Sequence, residues 1–233
     1  MRMSIRFPVF VAVLVFLTGG LTLTDRNLAH AVSRQKIEDL HRLVSDWQTD
    51  EARGELDALL TQSPQDSDLR FVHARLLYFE GKYREAVDVL DALLGDFGED
   101  SPTSLRSLHA EISATHKALA SFDEHVTDGG RFLIRYKGRD KALIPYLVEV
   151  LEATDSVLSK DFAYRPKGQV VVEIYPNVQY LAAVSPLTEE DLETSGTIAL
   201  CKYNRLMFTS PRGLVRGYGW RDTVAHEFVH YFV

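Results

Sequence analysis

His226, Glu227 and His230 are the residues of this chain whose types and spacing could do chemistry. They stand as H-E-x-x-H within Thr223-Val224-Ala225-His226-Glu227-Phe228-Val229-His230-Tyr231-Phe232-Val233. On an α-helix, residues four apart lie one turn apart on one face, so both imidazoles can reach a single metal ion while Glu227 stands beside it. Zinc is the ion expected, because it accepts histidine nitrogens and lowers the pKa of a bound water from about 15.7 towards about 7. An adjacent carboxylate can take the proton of that water as it attacks a carbonyl, which is peptide-bond hydrolysis. The spacing therefore assigns His226 and His230 as metal ligands, Glu227 as the catalytic base, zinc as cofactor, and a peptide or protein as substrate.

The flanks say how the motif must be held. Val224, Phe228, Val229, Tyr231 and Phe232 are uncharged and mostly bulky, and no Pro or Gly interrupts them. They predict a helix buried in a domain interior, with the two histidines and the carboxylate buried on it. Three ionisable groups in an apolar helix need partners, and a metal would supply one.

Residues 223–232 resemble the extended zincin motif of the metallopeptidases. The metzincin branch has Gly three residues after the second His, where its helix stops; Val233 stands there. The stretch is instead similar to the gluzincin, or peptidase MA-like, branch, in which the helix continues and a later helix supplies a Glu as third ligand. That later helix does not occur within the 233 residues. The resemblance thus implies a zinc metallopeptidase whose third ligand is absent from this chain, a truncated zincin-like domain.

The wider composition sets limits. A chain of 233 residues, 45% hydrophobic and 25% charged, suits one sizeable globular domain or two small ones. The net charge of -7 and the lack of any dense Lys/Arg run argue against a nucleic-acid surface. Residues 1–31 read as an export signal, with Arg2 and Arg6 at the start, an apolar core over residues 7–17, and Ala29-His30-Ala31 as a small-x-small cleavage pattern. The expected location is periplasmic or secreted. The competing reading is an uncleaved signal anchor formed by residues 7–23, at the short end for a bilayer span and the sole membrane contact expected. Cys201 is the one cysteine, so no intramolecular disulfide is possible, and its setting, Ile198-Ala199-Leu200-Cys201, predicts a buried strand residue without chemistry.

Residues 33–125 are rich in helix formers, and the pentapeptide Leu-Asp-Ala-Leu-Leu at Leu56 recurs at Leu90, 34 residues on. That period is the one of the tetratricopeptide repeat, in which small residues let paired helices approach and apolar residues fill the seam. The second copy carries Ala74, Gly81, Tyr83, Ala86 and Leu90. The first keeps Ala52, Leu56 and Pro64 but has Trp47 where the turn Gly would stand. A further helix over residues 104–122 could cap the pair. His73, His109, His116 and His125 are isolated and carry no assigned role. The repeats offer a surface for a protein partner.

Asp128-Gly129-Gly130 is a turn signal after which the pattern alternates, so the boundary between a helical region at 32–127 and the motif-bearing domain at 128–233 is placed there. Residues 131–136 and 169–175 read as strands, 145–158 as a helix, and 197–201 with 206–209 as a hairpin ahead of the motif helix. This order resembles the front half of the peptidase MA-like domain, which lays a mixed sheet over the zinc helix and holds substrate on an edge strand. Either hairpin strand could be that edge. The acidic stretch 188–193 reads as a solvated loop. The expected class is α+β, a helical repeat followed by a zincin-like domain. Two functions remain: an exported zinc metallopeptidase, or a helical-repeat interaction module whose peptidase-like domain does no catalysis.

Overall fold

The computed structural model describes residues 32–233; the export signal expected at residues 1–31 lies outside them. Five helices come first: α1 (Arg34–Ser45), α2 (Thr49–Gln62), α3 (Ser67–Phe79), α4 (Tyr83–Phe97) and α5 (Thr103–Leu119). Local chemistry starts two of them. The Ser33 hydroxyl accepts the Lys36 N–H at 3.3 Å, and the Asp66 carboxylate accepts the N–H groups of Asp68 and Leu69 at 3.0 Å each. Ala52 and Ala86 let α2 and α4 close on their partners, and Leu56 and Leu90 are both fully buried in the seams. The 34-residue repeat therefore exists as two helix pairs plus α5. Its turn position is left-handed in both copies, at φ 59° for Trp47 and φ 74° for Gly81. At position 81 glycine is needed twice over, since a Cβ there would also meet Arg135 Nη1 at 3.0 Å and Val171 Cγ2 at 3.1 Å.

The rest of the chain forms β1 (Asp123–Val126), β2 (Phe132–Tyr136), α6 (Ile144–Asp161), β3 (Val170–Tyr175), α7 (Val178–Val184), α8 (Glu189–Ser195), β4 (Ala199–Lys202), β5 (Arg205–Thr209) and α9 (Trp220–His230). The strands make one mixed sheet in the order β1-β2-β3-β5-β4, with β2, β3 and β5 parallel and both outer strands antiparallel to their neighbours. Two expectations change here. Residues 123–126, assigned to the helical region, are an edge strand, because their backbone pairs antiparallel with β2 from Asp123↔Tyr136 to Val126↔Leu133. Residues 188–193 are not a loop. Thr188 and Asp191 make a reciprocal capping box that starts α8, and two hydrogen bonds from Thr188 hold the Asp191 carboxyl below its ordinary range.

The centre of the sheet is buried on both faces, which is why β3 is buried along its whole length. Phe132, Ile134, Val170, Val172, Ile174, Leu206 and Phe208 share a core with Leu147 and Leu151 of α6 and Val224 and Phe228 of α9. On the opposite face Tyr175 and Met207 join the core of the helical repeat. That face also carries charge. Glu173 and Arg205 are buried, and the Glu173 carboxylate accepts from the hydroxyls of Tyr83 and Tyr175 at 2.5 Å each and from Arg135 Nη1 at 3.2 Å. Arg205 Nε lies 3.6 Å from Glu173, while its terminal nitrogens donate to the hydroxyls of Tyr83 at 2.5 Å and Tyr78 at 3.0 Å. Burial alone would push the Arg205 guanidinium down, yet Tyr83, Glu173 and Tyr78 together hold it well above its ordinary value. This network ties α3 and α4 of the repeat to β2, β3 and β5.

Candidate active site

The motif lies on α9, whose residues turn about 100° each. Val224 and Phe228, four apart, form the buried stripe, and the Phe228 ring stands 5.6 Å from Phe132 on β2. His226 and His230 are two residues further round and face away from that stripe. Both are exposed, and Glu227 between them is half-buried. The apolar flanks predict all three buried; they instead bury one face of the helix, and the period that seats Val224 and Phe228 turns the histidines outward. The imidazoles do stand together, with ring centroids 5.1 Å apart.

The start of the helix is fixed from the sheet: the Tyr218 hydroxyl donates to the Thr209 carbonyl at the end of β5. Its end is fixed by aromatic contacts. Phe232 packs on Phe228 at 5.5 Å and on Phe162 at 6.1 Å, while Tyr231 packs on Phe228 at 5.9 Å and on Trp47 of the first repeat turn at 5.8 Å.

Two surfaces border the motif. Toward the sheet, Ala199 and Cys201 of β4 belong to the core that includes α9. The Cys201 thiol is half-buried, and its pKa is pushed far up, first by burial and then by the Glu227 charge, so it stays neutral. β4 is an edge strand and β5 an interior one, which leaves β4 as the hairpin strand with an open edge among the described residues. On the other side His230 opens onto a cleft of about 580 Å³ lined also by Trp47, Asp50, Glu51, Tyr164, Lys167 and Tyr231. This cleft lies between the first repeat turn and the end of α9. His226 does not line it.

For zinc, two imidazoles one turn apart are suitable donors, and neither ring has a side-chain hydrogen bond among the described residues. A third donor is not beside them: no group of three or more His, Cys, Asp or Glu residues able to hold a metal occurs among the described residues. The arrangement fits two of the three protein ligands of a catalytic zinc. Also among the described residues, no helix is long and apolar enough to cross a membrane.

Sequence reasoning missed Trp47 and Tyr231 as neighbours of the site. The signal for Trp47 is its place at the repeat's turn position, where the second copy has Gly81.

A family model, Tetratricopeptide repeat, matches residues 43–112, which span α2, α3 and α4 with parts of α1 and α5. No curated protein and no solved structure matches the chain.

Proposed function

We propose that the protein is an exported zinc-dependent metallopeptidase in which His226 and His230 hold the metal and Glu227 acts as general base. The observation that carries this reading is the pair of exposed imidazoles 5.1 Å apart on a helix packed against the edge strand β4, with Glu227 adjacent in sequence. Zinc, when bound, supplies Lewis acidity at neutral pH. The chain's own residues do the rest. The His226 and His230 nitrogens would hold the ion on the exposed face of α9. The Glu227 carboxylate takes a proton from the attacking water and delivers it to the departing amine, for which a carboxylate beside the ligands is the group required. The open edge of β4 can hydrogen-bond an extended peptide through backbone groups whatever its side chains. The repeat serves as the platform for a protein partner.

With the two ligands assigned among the described residues, the 233-residue chain should hold zinc weakly and cleave peptides poorly, since a catalytic zinc normally has three. The test measures zinc content and peptide cleavage side by side. Glu227→Gln should keep the metal and lose most turnover, because an amide holds a water but does not accept its proton. His226→Ala and His230→Ala should lose the metal itself. Zinc retained in both histidine variants would sink the assignment.

The second reading, a helical-repeat interaction module with a non-catalytic domain, is favoured by the repeat match over residues 43–112. It expects no zinc and no cleavage in any form of the protein.

A further inference from the structure

The two hydrophobic cores of the described residues share one side chain, Trp47. Its indole packs against the core of the helical repeat and against the core beneath the sheet that contains α9. The position is an unfavourable one for tryptophan. Its backbone sits at φ 59°, and the second repeat meets the same turn with Gly81 at φ 74°. Glycine takes the left-handed region without penalty, whereas a residue with a Cβ is strained there. The ring must offset that strain through what it touches. It touches Tyr231, with centroids 5.8 Å apart, the residue that directly follows His230. The Tyr231 N–H in turn closes the last turn of α9 by donating to the Phe228 carbonyl at 3.1 Å. Trp47 and His230 also line the same cleft.

We propose that Trp47 is a positioning residue for His230. Its ring clamps Tyr231 and with it the final turn of α9, so the first repeat turn fixes where the second imidazole stands. The helical repeat is then a wall of the site, and its first copy departs from glycine at the turn because that copy supplies the clamp. The proposal rests on the peptidase reading for the role of His230 as a ligand, while the clamp is a property of the protein without metal.

The experiment separates the two. Amide hydrogen exchange is followed in the full chain, without metal, for the parent and for Trp47→Gly and Trp47→Phe. Glycine relieves the strained turn, so Trp47→Gly keeps the repeat folded while removing the ring. Exchange at residues 229–232 should quicken about tenfold or more in Trp47→Gly, with the amides of α3 and α4 unchanged. Trp47→Phe should restore most of the protection. An unchanged last turn in Trp47→Gly, or equal acceleration in α4 and α9, would overturn the proposal. Zinc affinity is then measured by chelator competition, and a clamp on a ligand should weaken it about tenfold in Trp47→Gly, with recovery in Trp47→Phe. A parent protein that takes up no zinc would overturn the peptidase reading, and with it the role given to His230; the exchange data would still decide the clamp.

Discussion

Replacing Glu173 with Gln changes one buried carboxylate into an amide of nearly the same shape, and the structure says what that removes. Glu173 is fully buried, accepts from two tyrosine hydroxyls and Arg135, and is the carboxylate paired with the equally buried Arg205. In the variant the Arg205 guanidinium keeps its hydrogen bonds to Tyr83, Tyr78 and the Val184 carbonyl but has no buried anion beside it. The stacking of Arg205 over the rings of Tyr78 and Tyr83, at 4.9 and 5.1 Å, survives and softens the loss. Breaking a buried pair by neutralising one partner is destabilising by about 3–5 kcal/mol, a large share of the 5–15 kcal/mol typical of whole domains. With a urea slope of about 2 kcal/mol per molar, the midpoint should fall by roughly 1.5–2.5 M. The assay is urea unfolding followed in parallel by tryptophan fluorescence and far-UV circular dichroism. Because the network joins the repeat to the sheet, both probes should shift together. Adding Arg205→Met to Glu173→Gln should recover part of the loss, since the uncompensated cation is then gone. A shift worth less than about 1 kcal/mol would refute the view that this pair is a stabilising junction.

Gly81→Ala should destabilise by about 1–3 kcal/mol, because alanine is strained at φ 74° and its Cβ meets Arg135 and Val171; thermal melting measures it, and a neutral result would show that the turn relaxes freely. A pH series tests the buried tyrosines. Burial raises Tyr83, Tyr175 and Tyr231 above their ordinary value, so the folded state keeps protons that the unfolded chain releases. Their contribution should be present in full below about pH 10 and be lost as pH rises beyond it, read as a urea midpoint falling between pH 9 and pH 11. A midpoint constant over that range would contradict the burial.

Much of the local structure is legible in the chain. The pentapeptide at Leu56 and Leu90 marks a period that two helix pairs obey, because seam residues must recur wherever the same two helices approach. The motif helix, the strands β2 and β3 and the hairpin also follow from periodicity and turn residues, both of which act over a few positions. Which way each face looks is a different question, decided by partners far along the sequence. The apolar flanks of the motif identify a helix but not that Val224 and Phe228 turn inward on it while His226 and His230 stay exposed. Glu173, in a run of valines, reads as a polar interruption; only the packing of the repeat on the sheet brings Tyr83, Arg135 and Arg205 to it. β4 rather than β5 is the open edge because β5 pairs with β3, a contact that no local pattern encodes. Trp47 marks the limit most clearly. By itself the sequence determines a turn with the wrong residue, and the tertiary structure supplies the reason, a tyrosine 184 positions later in the chain that needs an aromatic ring against it.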